Sequence, residues 1–441
     1  MKQQGKIRQI LLDNFEFYLA KAKKSEQEPL EADISSNILS NGKKRKRKIK
    51  SKKIIRIRSV EICNVLKVLA CRTPLLGEHT YVCSDCGLIK TIPHSCKSRF
   101  CSVCGYIATD NWIKKRFHFL LDCPYQHIVV TVPASYRWII KLNQPLVLGF
   151  FLRSATSAIK EWAKDRGFQV GMVTFYHSFG GRLQFHPHFH ILVTSGGITN
   201  NGQCKALYSN FPGHVLVEKF KAKFISGLKD MFRRGKLKTK APLSRVLYQI
   251  DHPYDNHWQF YTQRLTRSSK ETMKYCVRYA KKMIISELRI YSYNGRTVTY
   301  ECYGKDKKGK KSIYPQTDDV LVFIEKILKL IPEKYFNLIR YYGFYSNNQY
   351  VKKTYKLALK YFQPLDTKGE VDCWRHRQWR RDRKDPLTCP YCNKEMYLRS
   401  VSYPPQNYYL MYNWDKILAA NNETFQQRLI ICNPYSQNRF N

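Results

Sequence analysis

The stretch 171–193, GMVTFYHSFGGRLQFHPHFHILV, decides how this chain is read. Two runs rich in β-branched and aromatic residues, GMVTFYHS (171–178) and LQFHPHFHILV (183–193), flank Phe179-Gly180-Gly181-Arg182 and predict a β-hairpin. In the second run, His186-Pro187-His188-Phe189-His190 sets three histidines at alternate positions. Side chains alternate across a strand, so His186, His188 and His190 share one face, and Pro187 and Phe189 take the other. Imidazoles two residues apart on one face can converge on a metal ion. Imidazole suits several divalent metals, so spacing alone does not name the ion. Ile191-Leu192-Val193 carries the strand into a core. The bland alternative is a polar-faced strand with solvated histidines.

Outward from the hairpin, the same pattern rules give its neighbours. YQHIVVTV (125–132) predicts a buried strand closed by Pro133. Residues 143–166 predict a helix in which Leu148, Phe151, Leu152, Ala155, Ile159 and Trp162 share a face, ended by Gly167. Val217, Phe220, Phe224, Leu228 and Phe232 mark a helix over 216–234, and Ile7, Ile10, Leu11, Phe15, Tyr18 and Leu19 mark one over 7–21. IYSYNGRTVTYECY (290–303) predicts a second hairpin turning at Asn294-Gly295. Ser268-Ser269-Lys270-Glu271 is a capping box opening a helix over roughly 269–285. There Met273, Val277, Ala280 and Ile284 form the apolar stripe, while Tyr275, Tyr279 and Lys282 fall four and three apart on another. Two phenols beside a lysine on an open helix face are poorly explained by packing. Tyr341/Tyr345 and Tyr408/Tyr412 repeat the spacing without comparable context.

The histidine strand and the tyrosine helix together describe metal-assisted transesterification. His188 and His190 would hold a divalent ion that polarises a scissile phosphate. A phenolate from Tyr275 or Tyr279 would attack phosphorus, leaving a 5′-phosphotyrosine link and a free 3′-hydroxyl. Lys282 would stabilise phosphate charge or depress the phenol's pKa. A second tyrosine lets a second strand be cut while the first stays covalently held.

Composition sets the partner. Across 441 residues, 77 Lys+Arg stand against 33 Asp+Glu, a formal charge of +44. With 43% hydrophobic residues the chain can bury real cores, which excludes whole-chain disorder. It has no run of eighteen apolar residues, and its polar opening MKQQGKIRQILLDNF does not suit a signal peptide. The expectation is a cytoplasmic protein that does not span a membrane. Nucleic acid is the leading polyanion; an anionic membrane surface is the runner-up, but 31 Tyr, 23 Phe and 7 Trp suit base stacking as well as packing. The run 43–58, with eleven basic residues in sixteen, is either a solvated arm or one that grips phosphates.

Fifteen cysteines are unevenly placed, seven of them between Cys63 and Cys104. Cys83-x2-Cys86 and Cys101-x2-Cys104, fourteen residues apart, have the spacing of a four-thiolate zinc ribbon, with Gly87 and Gly105 permitting the turn after each knuckle. Cys71, His79 and Cys96 are candidates for a second ion or for alternative ligands to the first, and His94 reads as a surface residue. In the tail, Cys373-x2-His376 and Cys389-x2-Cys392 are either a second zinc knuckle pair or buried thiols. Trp374, Trp379, Arg377, Arg380, Arg381 and Arg383 beside them suit DNA contact as well as plain surface.

Five segments carry a family resemblance: CRTPLLGEHTYVCSDCG (71–87), HSCKSRFCSVCG (94–105), YQHIVVTVP (125–133), HSFGGRLQFHPHFHILV (177–193) and MKYCVRYAKK (273–282). In this order they resemble the HUH-endonuclease superfamily, and within it the two-tyrosine rolling-circle transposases of the IS91 family. The resemblance implies an α+β fold with an N-terminal zinc-binding domain, an HUH nuclease domain on a central antiparallel sheet, and a tyrosine-bearing helix. It implies divisions at 1–60 (helix and basic arm), 61–110 (zinc-binding), 111–305 (nuclease) and 306–441 (DNA contact, with the second candidate zinc site). His188 and His190 correspond to the metal ligands, Tyr275 and Tyr279 to the nucleophiles. The third ligand varies in the superfamily, leaving His186, His177 and Gln184 as candidates. Arg278 stands where related replication initiators often have lysine, and keeps the charge. The implied cofactors are Mg²⁺ or Mn²⁺ at the nuclease site and structural Zn²⁺; the implied partner is single-stranded DNA of transposon ends and target, met at the bacterial nucleoid. The rivals are an HUH-type replication initiator or relaxase with the same chemistry, and a non-enzymatic zinc-dependent DNA-binding protein.

Overall fold

A computed structural model describes residues 5–27, 57–98, 100–102, 104, 120–239, 241–264, 284–305, 310–334, 336–346, 349–364, 373–403 and 429–430. Most of the basic run (43–56), Gly105, the segment 265–283 with Tyr275, Tyr279 and Lys282, and Tyr408/Tyr412 lie outside the described residues. In chain order the strands are β1 (Glu78–Cys83), β2 (Ile89–Pro93), β3 (Tyr125–Thr131), β4 (Phe168–Gln169), β5 (Gly171–Phe179), β6 (Phe185–Thr194), β7 (Gly196–Thr199), β8 (Cys204–Ala206), β9 (Gln259–Arg264), β10 (Ile290–Tyr293), β11 (Thr297–Lys305), β12 (Lys311–Asp319), β13 (Ile339–Gly343), β14 (Met396–Val401) and β15 (Leu429–Ile430). Helices at Lys6–Gln27, Gln144–Lys164 and Gly213–Arg233 stand where the apolar spacing puts them. The architecture is α+β.

At the centre is a five-stranded sheet in the order β13-β5-β6-β3-β9, with every pairing antiparallel. Alternation along its strands assigns its two faces different work. One face sends Ile128, Val130, Met172, Tyr176, Phe189, Ile191 and Val193 against helices Arg137–Leu142, Gln144–Lys164, Gly213–Arg233 and Leu243–Asp251. Phe189 is locked there edge-on to Phe151, centroids 5.0 Å apart, and 5.3 Å from Tyr176. The other face changes character along its length. Tyr125, Val173, Phe175 and Leu192 bury against Phe344 and Tyr345. One alternation step further come His127 on β3, His177 on β5 and His190 on β6, then His188. A one-residue slip would exchange the two faces, so the apolar packing on both sides fixes the register that delivers the histidines.

The hairpin is longer-turned than its sequence suggests. β5 ends at Phe179 and β6 opens at Phe185, with a register shift between His177 and Phe179. Leu183, expected to open the second strand, sits in the turn at φ 56° and buries its side chain in a neighbouring core. The physical reason is that the five-residue loop carries Leu183 onto a different apolar surface. Gln184 closes this loop: its carbonyl accepts from Gly180 N at 3.1 Å and its Oε1 from Arg182 N at 3.0 Å.

That neighbouring core joins helices Lys6–Gln27, Ser59–Leu69 and Val320–Lys329 to the three-stranded sheet β10-β11-β12. Arg58, the last residue of the basic run, belongs to it. Its guanidinium holds Glu61 at 2.6 Å, Glu333 at 2.7 Å and the Ile331 carbonyl at 2.7 Å. A further sheet, β14-β1-β2-β15, is made from opposite parts of the chain, with β14 antiparallel to β1. Among the described residues, no helix is long and apolar enough to cross a membrane.

Candidate active site and metal centres

Across the β5–β6 ladder His177 lies directly opposite His188, and His190 sits diagonally from it. Ring centroids are 5.1 Å apart for His177–His188, 4.5 Å for His177–His190 and 5.1 Å for His188–His190. One nitrogen from each ring lies within 4.8 Å of the other two. Two of the rings are oriented from behind. His188 Nδ1–H donates to the His186 carbonyl at 2.8 Å, and His190 Nδ1 lies 2.8 Å from His127 Nε2. Both contacts leave Nε2 for an ion, the arrangement by which a hydrogen bond at one ring nitrogen aims the other.

Burial pushes the His127 and His188 pKa values down to about 4. Burial, helped by His188 and Arg137, takes His186 to about 3. Among the clustered rings, His188 is therefore held neutral at ordinary pH, the form in which imidazole binds metal.

Of the three candidates for a third ligand, His177 is the one brought to the pair. His186 offers its carbonyl to His188, and Gln184 is engaged in the hairpin turn. His127 was not anticipated. Its signal is a histidine inside the buried strand YQHIVVTV, on the face opposite Ile128 and Val130.

The thiols group differently from the expected ribbon. Cys71, Cys96, Cys101 and Cys104 gather with their sulfurs within 4.8 Å of one another, and Cys83, Cys86, Cys389 and Cys392 form a separate group. The two N-terminal knuckles thus do not share a centre, because β1 turns Cys83 and Cys86 toward the strand that returns from the tail. Cys373 and His376 stay apart from both groups; Cys373 caps helix Trp374–Asp382, its sulfur accepting from His376 N at 3.4 Å. His79 pairs with His94 instead of a thiol cluster: His94 Nε2 is 2.8 Å from His79 Nδ1, and His94 Nδ1 is 3.0 Å from the Leu76 carbonyl.

The Tyr341/Tyr345 spacing has a packing explanation. Tyr341 lies on the edge strand β13, while Tyr345 is buried with its hydroxyl 2.6 Å from that of Tyr125. Burial pushes both phenols well above 10.

Comparison with known proteins follows these features. Residues 43–132 match the family described as "Transposase zinc-binding domain", and residues 171–352, which include β5 and β6, match the one described as "Putative transposase". "Transposase for insertion sequence element IS801" of Pseudomonas savastanoi pv. phaseolicola is 32% identical over 326 residues, covering 70% of this chain and 77% of that protein. "Putative transposase y4qJ" of Sinorhizobium fredii (strain NBRC 101917 / NGR234) is 26% identical over 348 residues, covering 74% and 85%. No solved structure matches the chain. With the thiol cluster of Cys71, Cys96, Cys101 and Cys104 inside the zinc-binding match and its histidine hairpin in the transposase match, the chain belongs to the IS91 family of transposases.

Proposed function

We propose that this transposase is an HUH-type endonuclease that nicks and joins single-stranded transposon ends by a rolling-circle route, through 5′-phosphotyrosine intermediates. The observation that carries the reading is the His177, His188 and His190 cluster at the polar end of one face of an antiparallel sheet. Three imidazoles on a rigid hairpin, two already oriented by hydrogen bonds, fit a divalent ion. Mg²⁺ or Mn²⁺ bound there would polarise the scissile phosphate and offset its developing charge. Tyr275 and Tyr279 supply the attacking phenolates. The phenol loses its proton, a P–O bond forms to the tyrosine, and the bond to the 3′-oxygen breaks, releasing a 3′-hydroxyl. Lys282, one turn beyond Tyr279, favours the phenolate. The connection of the chain supports this assignment: the sequence leads from β9, at the edge of the histidine sheet and ending at Arg264, through Tyr275 and Tyr279 to Ile285, which enters the second core. The substrate places this work on nucleoid DNA in the bacterial cytoplasm.

The test is to incubate the full protein with labelled single-stranded oligonucleotides from the element's ends and look for a covalent adduct on denaturing gels. Adduct with single strands and a divalent ion supports the reading; its absence overturns it.

His127 acts in this scheme as a positioning residue behind His190. His127→Ala is expected to weaken Mn²⁺ affinity by about 10–100-fold, the usual cost of losing a ligand's outer hydrogen bond. Activity measured against Mn²⁺ concentration should show a raised half-saturation point and near-normal rates at saturation. A lower rate at every concentration would contradict the role.

The basic run is expected to contribute through counterion release. Deleting residues 43–56 should weaken DNA binding across all sequences and flatten its salt dependence, read by anisotropy titrations at several ionic strengths. Arg58 must be kept, because it is tied to Glu61 and Glu333. A deletion that changes which sequence is preferred would show the arm reading bases instead.

A further inference from the structure

We propose that Cys83, Cys86, Cys389 and Cys392 form a second four-thiolate zinc site, separate from that of Cys71, Cys96, Cys101 and Cys104, which clasps the tail segment 385–401 to the N-terminal sheet. Two of its ligands lie beyond the zinc-binding match at 43–132.

The sulfur geometry fits the ion. Cys83 and Cys392 sulfurs are 3.3 Å apart, Cys86 and Cys389 3.6 Å, and Cys86 and Cys392 3.8 Å. A tetrahedron with Zn–S near 2.3 Å has edges of about 3.8 Å. All four cysteines are free.

The backbone around them is built the same way twice. Cys83 N donates to Leu88 O at 2.9 Å and Gly87 N to Cys83 O at 3.0 Å; in the tail, Cys389 N donates to Lys394 O at 2.8 Å and Asn393 N to Cys389 O at 3.0 Å. Gly87 and Asn393, each directly after its knuckle, adopt the left-handed conformation at φ 69° and 57°. Glycine and asparagine are the residues that take this conformation at least cost. Backbone N–H groups point at every sulfur: those of Asp85 and Cys86 at Cys83, Leu88 at Cys86, Tyr391 and Cys392 at Cys389, and Lys394 at Cys392. Amides so arranged stabilise thiolate charge. Two knuckles of equal design face each other because β1 pairs with β14, Cys83 opposite Met396.

Charge supports the same conclusion. Binding Zn²⁺ releases four thiol protons and leaves the centre at −2. Lys90, only 6% exposed, reaches the Pro386 carbonyl at 2.5 Å and lies in the electrostatic reach of Asp385 and Cys389. A buried ammonium there offsets the anionic centre. Arg375, on helix Trp374–Asp382, binds Asp385 through both Nε and Nη2 and reaches Glu395 at 2.5 Å. The clasp therefore also fixes a stretch, 374–383, that carries five arginines.

The test measures metal on the full-length protein. Purified wild type is expected to contain two zinc ions per chain by elemental analysis. Cys389→Ser/Cys392→Ser and Cys71→Ser/Cys101→Ser should each contain one, and the combined variant none. Native alkylation tests the unaltered chain. Cys86 and Cys373 are both exposed, yet Cys373 should react freely, while Cys86, Cys389 and Cys392 react only after chelation. One zinc in the wild type, two in the Cys389→Ser/Cys392→Ser protein, or alkylation of Cys86 at the rate of Cys373 in zinc-loaded protein would overturn the proposal. None of these readouts depends on nuclease activity, so a failure of the catalytic reading leaves them standing.

Discussion

His188→Ala/His190→Ala is expected to abolish nicking, lowering its rate by on the order of 10³-fold or more, as loss of the charge-stabilising centre demands. The side chains lie on the face opposite the Phe151–Phe189–Tyr176 packing, so the sheet should keep its main core. DNA binding and thiol-bound zinc should stay near wild type. The discriminating members are the neighbours. His177→Ala should be nearly as damaging as either ligand change, since His177 closes the triangle across the ladder. His186→Ala should cost only a few-fold, because it is the backbone carbonyl of His186 that orients His188. Rates from single-turnover cleavage of an end oligonucleotide check both. If His186→Ala proved as severe as His177→Ala, the ligand assignment would fail even with the nuclease intact. A mild chelator that spares the thiolate centres should stop the wild-type reaction, with Mn²⁺ or Mg²⁺ restoring it.

Tyr275→Phe/Tyr279→Phe is expected to leave no protein–DNA adduct, while each single change retains partial strand cleavage. The i,i+4 spacing of Tyr275 and Tyr279 predicts, for a helix, two neighbouring phenols off the stripe of Met273, Val277 and Ala280, so removing one hydroxyl is expected to leave the other working. Tyr345 is the control. Its hydroxyl sits between that of Tyr125 and the Leu121 amide, where burial opposes ionisation. Tyr345→Phe should cost about 1–3 kcal/mol of stability, the penalty for stranding buried hydrogen-bond partners, and leave adduct formation unchanged. Peptide mapping of the trapped adduct decides. A DNA 5′-phosphate on Tyr345, on Tyr341 or on a serine would refute the assignment.

The histidine hairpin was legible because it is a local object. Period-two alternation puts His188 and His190 on one side of a strand whose Phe189 and Ile191 must bury, and no distant partner alters that. His177 was harder to choose, since its position opposite His188 depends on loop length and on a register shift that Gly180-Gly181 alone does not specify. His127 escaped notice because strand β3 meets β6 only through tertiary pairing. The thiols show the same limit more sharply. Four CxxC or CxxH pairs are chemically interchangeable on paper, and fourteen residues between two of them suffice for a ribbon. What selects Cys389-Cys392 as partner of Cys83-Cys86 is the docking of β14 on β1, a contact between segments about three hundred residues apart that local periodicity cannot report. The resemblance of CPYCNK (389–394) to CSDCGL (83–88), knuckle followed by a left-handed residue, is the signal that was available.

The pairing of β1 with β14 also has a meaning in time. A ribosome adds about 5–20 residues per second, so roughly 15–60 s separate the synthesis of Cys83 from that of Cys389. Throughout that interval β1 lacks its β14 partner along one edge, and Cys83 and Cys86 have only half a ligand set. A chain cut short anywhere before residue 389 can never complete it. An interrupted chain is therefore left with the open edge of β1, the kind of unpaired strand edge that templates pairing with other chains, and with Cys83 and Cys86 short of their two partner thiols.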